Sequence, residues 1–285
     1  MDETPGFFQR HLDKVQRWRA APVVSILRLH GVIAPGGGPL RQGSLNLPGL
    51  ERAILKAFQP RRLAAVVLQI NSPGGSPVQS ALIARAIRRQ AEKRQVPVYA
   101  FAEDVAASGG YWLATAADEI YADPSSILGS IGVIHAGFGL AGLLERFGVE
   151  RRVHTAGERK AFLDPFRPED EADVARLTEL QGTIHTAFMD QVKARRGDRL
   201  NRRRYKEIFS GDVFLGEEAQ RLGLIDGIAD PGPFLREKFG DDVKVRHVGR
   251  RRPSLVSLFR GQSDLAIASA VDALEHRLMW NRYGL

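Results

Sequence analysis

Apolar positions over residues 23–33 run between Pro22 and a glycine-rich stretch at 35–39, the pattern of a strand closed by a loop. Residues 64–70 form a short unbroken apolar run, as expected of a strand buried on both faces of a parallel sheet. Helical spacing appears over 47–58, and again over 78–93 through Val78, Leu82, Ile83, Ala86 and Ile87. The pattern predicts a third strand at 96–102, then a helix at 108–117 entered through glycines. Short strands are predicted at 119–122, 131–134 and 151–154, a helix at 140–147, and a long charged helix at 169–195. Strands and helices alternating in this way describe an α/β protein with a mainly parallel sheet and crossover helices. No repeat of fixed period is visible.

Residues 124–144 contain no Asp, Glu, Lys or Arg and are long enough to span a bilayer. Five glycines interrupt them, with Ser130 and His135, so the stretch is expected to be buried strand and loop of the core. The first nineteen residues lack the apolar h-region of a secretory signal. Phe8, Leu12, Val15 and Trp18 instead mark a short amphipathic helix, with Arg10, Lys14 and Arg17 mostly on other faces. Two roles fit it: docking on the body of the protein, which is preferred, or peripheral membrane contact through basic and aromatic residues. The expected location is cytoplasmic, at most peripheral to the inner membrane, with no signal peptide and no clear transmembrane helix.

Three segments are expected: an N-terminal helical extension at 1–21, a main domain at 22–230, and a basic tail at 231–285 introduced by Pro231-Gly232-Pro233 and ending in a helix over 264–279. The 285 residues carry 41 Lys+Arg against 33 Asp+Glu, a net charge of +8. The basic residues are dispersed and not interleaved with aromatics, so solvated faces account for the excess and no nucleic-acid partner is expected. Cysteine is absent, which excludes disulfides and thiolate metal sites. No metal or organic cofactor is expected.

In open α/β sheets, functional groups gather in loops beyond the carboxyl ends of the strands. Two such loops stand out. Asn71-Ser72-Pro73-Gly74-Gly75 leaves the 64–70 strand, and adjacent glycines there let backbone amides turn into a cleft. Ala106-Ala107-Ser108-Gly109-Gly110-Tyr111 joins a strand to a helix. A serine in that place is usually an N-cap. A nucleophilic one would gain from the helix dipole and from the following amide, which could bind an oxyanion. From the residues alone the cap is favoured. A nucleophile also needs a base. Lys160, in Gly157-Glu158-Arg159-Lys160-Ala161-Phe162-Leu163, is a candidate because the apolar residues after it suggest burial, which disfavours the ammonium form.

N-S-P-G-G at 71–75, A-A-S-G-G-Y-W at 106–112, T-A-A-D at 115–118 and G-S-I-G-V at 129–133 together resemble the SppA/protease IV signal peptide peptidase family over about residues 22–230. The resemblance implies a Clp/crotonase-like fold of repeated ββα/βαβ units. It implies a serine endopeptidase with Ser108 as nucleophile and Lys160 as base, Gly75 and Gly109 as oxyanion-hole amides, and Ser130 orienting the lysine amine. It implies short, unfolded or signal-peptide-like peptide substrates and a homo-oligomer, in a ring or dome. The G-L-I-D of residues 223–226 also resembles the family, whereas Asp212 and Leu215 depart from the arginine and threonine common there.

Three other functions are weighed against this one. A Clp-like Ser-His peptidase would use His135 as base. A crotonase-type acyl-CoA enzyme would use the oxyanion hole without a nucleophile. A non-catalytic scaffold would use neither Ser108 nor Lys160.

Overall fold

The computed structural model describes residues 21–35, 44–157, 159–248, 277 and 279–283. The amphipathic N-terminal helix lies outside them, as does the helix expected over 264–279 but for residues 277 and 279. The chain divides into two compact units, Met1–Ile131 with Gln191–Leu285, and Gly132–Asp190.

The first unit is built on a sheet that is parallel but for one pair. Strand β1 (Val23–His30) pairs with β2 (Leu63–Ser72), and β2 with β3 (Val98–Ala107). The far side of β3 is shared between two strands. Its residues 99–102 pair with β4 (Glu119–Ala122), and its residues 105–107 with β5 (Ile127–Gly129). Strand β6 (Val213–Leu215) adds to β5 in the antiparallel sense, while β7 (Gly227–Ile228) adds to β4 and β8 (Lys244–Val248) to β1, both in parallel.

Side chains alternate between the two faces of a strand. Ala65 and Val67 therefore join Val24, Ile26, Tyr99 and Phe101 in one apolar layer, closed by Leu235 and the rings of Phe234 and Tyr121. The alternate residues Val66, Leu68 and Ile70 are fully buried on the opposite face, which explains the unbroken apolar run. Helix α1 (Leu47–Ala57) buries Ile54, and α2 (Pro77–Arg94) buries Ile83 and Ile87. Both helices start on a side-chain cap: Asn46 accepts from the Gly49 amide at 2.9 Å, and Ser76 from the Gln79 amide at 3.4 Å. At the end of β3 the chain enters α3 (Gly109–Ala114), a single short helix that begins with two glycines and is buried throughout.

Two expected strands do not form. Strand β5 ends at Gly129, φ +92°, and Ser130 follows at φ +51°, which turns the chain out of the extended region before 131–134. Residues 151–154 are likewise irregular. The uncharged stretch 124–144 is core only as far as Ile131; beyond it Ile134 is 67% and Phe138 84% exposed. Among the described residues no helix is long and apolar enough to cross a membrane. The second unit holds α4 (Ala141–Arg146) and most of α5 (Glu171–Arg196), which continues into the first unit from Gln191. After α6 (Gly216–Arg221), the residues expected to begin the tail form α7 (Pro231–Phe239) and β8, and both belong to the sheet and its cover.

The G-L-I-D turn works as a clamp in the first unit. Arg196, 3% exposed, donates from Nη1 to Asp226 Oδ2 at 2.7 Å and from Nε to the Gly223 carbonyl at 3.0 Å. Asp226 Oδ2 also accepts from the Ile120 amide at 2.7 Å. The buried Tyr111 hydroxyl donates to the Leu224 carbonyl at 2.7 Å, and burial pushes its phenol well above the ordinary range. Removing Arg196 takes the close partner from a largely buried Asp226 and leaves it the longer contact to Arg199 Nε at 3.5 Å. Arg196→Ala is therefore expected to cost about 3–5 kcal/mol in urea unfolding. A loss below about 1 kcal/mol, the size of a surface pair, would contradict this role.

Candidate active site

Three polar elements meet where β2, β3 and β5 end. Ser108 follows β3 and occupies the N-cap position of α3, at φ +52° and ψ −122°. A residue with a Cβ rarely adopts such a backbone, and holding it there costs of order ~1–3 kcal/mol. The surroundings enforce it from three sides. The Ser108 amide donates to the Gly129 carbonyl at 2.8 Å, and its own carbonyl accepts from the Trp112 amide at 3.0 Å. Gly74, φ +104°, presses against it so closely that a Cβ at Gly74 would sit 2.8 Å from both the Ser108 Cβ and the Gly109 nitrogen.

The serine is not a cap, although it stands in the cap position. Its hydroxyl makes no capping hydrogen bond to α3, whereas Asn46 and Ser76 both cap their helices with their side chains. The reading favoured by the residues alone is thus overturned. A half-buried serine on a strained strand-to-helix turn, its hydroxyl not committed to the helix, is the arrangement that presents a side-chain oxygen for chemistry.

Gly75 and Gly109 lie in the same two loops, each next to a residue of the Gly74–Ser108 contact. Gly75, φ +134°, lies beside Ile33: Ile33 donates its amide to the Gly74 carbonyl at 2.8 Å, and Ser76 donates to the Ile33 carbonyl at 2.7 Å. This pattern leaves the Gly75 amide out of the bridge. Among the described residues, neither the Gly75 nor the Gly109 amide donates to a protein acceptor. The two come close, since a Cβ on Gly109 would lie 3.3 Å from the Gly75 nitrogen. Two adjacent unused amides beside a serine hydroxyl can stabilise an oxyanion. Ser130 is also in this region, 5% exposed, directly after the Gly129 whose carbonyl holds Ser108. Its amide donates to the Asp212 carbonyl at 2.6 Å, so the departure at Asp212 makes a main-chain contact that does not depend on its side chain.

Lys160 and His135 belong to the second unit. Lys160 is exposed there, while the apolar residues 161–163 after it are half-buried, so the burial expected of the segment falls on its neighbours. The loop is anchored just beyond the lysine. The Leu163 amide donates to Asp173 Oδ2 at 2.9 Å, and Arg151 pairs with Asp164 while its guanidinium lies 4.7 Å from the Phe166 ring centre. His135 is exposed. Among the described residues no group of three or more His, Asp or Glu is placed to hold a metal ion.

Several contributors were invisible in the sequence reading. The Gly129 carbonyl and the packing of Gly74 lie within the motifs, but nothing in a motif shows which of its atoms touch. Arg195 and Gln191 sit on a charge-rich helix that reads as a solvated face. In the structure Arg195 donates from Nε to the Thr115 carbonyl at 2.9 Å, and Gln191 from Nε2 to Thr115 Oγ1 at 3.0 Å, at the far end of α3.

Comparison with known proteins adds four findings. Residues 90–231 match the model of Peptidase family S49. A protein of Synechocystis named as a protease is 30% identical over 249 residues, 83% of this chain and 87% of its own length. A Brucella abortus protein named as the Na(+)/H(+) antiporter NhaA is 45% identical over 295 residues, covering 99% of this chain; the chain spans 39% of that relative's length. Among solved structures, a lysine variant of the membrane-bound stomatin-specific protease 1510-N, in complex with a substrate peptide, aligns with 83% of this chain and 95% of its own at a TM-score of 0.51 and 17% identity. That likeness shows the fold.

The close approach of α3 to β2 is open to a direct test. A Cβ at Gly110 would run into the Ser72 carbonyl oxygen, and one at Gly109 would lie 2.5 Å from Ser80 Oγ. Gly110→Ala is expected to destabilise the protein by about 1–3 kcal/mol through overpacking, despite alanine's better helix propensity. Thermal unfolding followed by circular dichroism is the measurement, and an unchanged or raised midpoint would show that α3 is not pinned there.

Proposed function

We propose, from the premise that this chain belongs to peptidase family S49, that it is a serine endopeptidase in which Ser108 is the nucleophile and Lys160 the general base. The observation that carries the reading is the strained Ser108, in a cap position without a capping bond and beside the unused amides of Gly75 and Gly109. The neutral amine of Lys160 takes the hydroxyl proton as Ser108 Oγ bonds to the scissile carbonyl carbon. The Gly75 and Gly109 amides receive the developing oxyanion. Collapse breaks the C–N bond, the leaving amine takes the proton from Lys160, and an acyl-enzyme remains. Water then attacks the acyl carbon, again giving its proton to Lys160, and the carboxylate product leaves with Ser108 restored. Ser130 is assigned to orient the lysine amine. The family resemblance supports short, unfolded or signal-peptide-like peptides as substrates.

Self-association belongs to the same proposal. Large apolar side chains stand exposed in the second unit, with Phe138 at 84% and Phe147 at 70%. Exposed apolar area of this kind suits contact with further copies of the chain. Light scattering after gel filtration should give a mass above the 31.5 kDa of one chain; a single species at that mass would remove this part.

The dyad itself is tested by peptide cleavage with folded variants. Residues that act as one unit lose activity to a common floor. Ser108→Ala, Lys160→Ala and the double variant should each fall by about 10³-fold or more, without the losses adding. Lys160→Arg should be as inactive, because a guanidinium does not give up its proton in a protein. His135→Ala should stay active. If His135→Ala drops to the floor while Lys160→Ala turns over, the Clp-like arrangement is right instead.

A further inference from the structure

Helix α3 has only six residues, too few to hold itself together by its own hydrogen bonds. Its amino end carries Ser108. Its carboxyl end is gripped by groups that the chemistry above does not use. Arg195 donates from Nε to the Thr115 carbonyl at 2.9 Å and from Nη2 to the Ala117 carbonyl at 3.0 Å. Gln191, one turn earlier on α5, donates to Thr115 Oγ1 at 3.0 Å. Arg88 of α2 donates to the Ala116 carbonyl at 3.3 Å and to Asp118 Oδ1 at 2.7 Å. Asp118 is tied to the start of β3 by the Val98 amide, which donates to its Oδ2 at 2.9 Å. Two cationic side chains at the carboxyl end of a helix also complement its dipole.

We propose that Arg195 is a positioning residue for Ser108, with Gln191 as its auxiliary, acting through the whole length of α3. The inference rests on Ser108 being the nucleophile. A serine at φ +52° relaxes as soon as the helix after it is free to turn or slide. The amino end is held by the Gly129 carbonyl and by Gly74, which fix where the helix begins. The planar guanidinium, bonded to two carbonyls, fixes its rotation at the other end. Loss of that grip leaves the fold in place, because the clamp of Arg196 on Asp226 is separate, but it lets the Ser108 oxygen move off its line of attack.

The test is the rate constant for fluorophosphonate labelling, mapped to Ser108 by mass spectrometry, together with kcat and KM for a peptide. Arg195→Met should slow both labelling and kcat by about 10- to 100-fold, the scale of a misplacement of about 1 Å. KM should stay within about twofold, since the interaction lost is not one with bound substrate. Arg195→Lys, which keeps one donor and the charge but not the fork, should recover part of the rate. Gln191→Leu leaves every ion pair intact and should slow labelling less, so the test stands even if Arg195→Met does not fold. A merely structural role lowers the fraction of enzyme that can be labelled and leaves the rate constant of the remainder unchanged; that result, or wild-type rates in both variants, overturns the inference. Wild-type enzyme that is not labelled on Ser108 overturns the nucleophile assignment and this inference with it, whereas normal labelling of wild type with unchanged variants overturns this inference alone.

Discussion

A backbone turned to φ +52° at a serine has to be held from outside, because the residue would otherwise leave that conformation. In this protein the holding comes from a strand, a loop and a helix at once. Strand β5 offers the Gly129 carbonyl, the loop after β2 brings Gly74 within contact of Ser108 and Gly109, and α3 pulls on the serine carbonyl through Trp112. Each requirement has its cost in sequence freedom. Gly74 and Gly75 stand at positive φ against backbone, and Gly109 and Gly110 lie against Ser80 and Ser72, so four glycines crowd the two loops that meet at Ser108. Among the described residues, the same crowding leaves two amides without protein acceptors. The strain at Ser108 and the unused donors beside it are thus consequences of one packing arrangement.

The rest of the first unit is arranged behind that junction. The first half of β3 pairs with β4 and its last residues with β5, and that pairing reaches Ser108 itself through the Gly129 carbonyl. Asp226 and Arg196 fix the strand β4 side through the Ile120 amide, and Tyr111 ties α3 to the Leu224 carbonyl. The G-L-I-D segment, far from Ser108 in the chain, therefore supports the helix that carries it.

Much of this was legible in the residues. The continuous run at 64–70 marked a strand covered on both faces, and the spacing through Ile83 and Ile87 marked the helix that covers it, since both patterns follow directly from burial. The N-S-P-G-G and A-A-S-G-G loops were read as lying beyond the ends of two neighbouring strands, and they follow β2 and β3, which pair. Where the reading missed, the deciding physics was tertiary. Ile131 and Ile134 look like strand residues, but two successive positive φ angles at Gly129 and Ser130 end β5 first. Val213 and Leu215 form an edge strand with only Phe214 buried, too short a signal to see in a sequence. Ser108 looked like a cap, and only the absence of a side-chain bond to the helix, set against Asn46 and Ser76, separates the two roles. Arg195 had no signal at all, because a cation that caps a neighbouring helix and one that faces water have the same letter and the same spacing.

The central claim is that the strained Ser108 forms a covalent bond with its substrate. Rapid acid quench during turnover of an activated peptide ester, followed by proteolysis and mass spectrometry, reads this directly. The account predicts one acyl adduct, on Ser108, that forms within the first turnover and disappears when substrate is exhausted. An adduct on Ser130 or on any other side chain, or cleavage that proceeds with no adduct at all in a variant whose deacylation has been slowed, would contradict it.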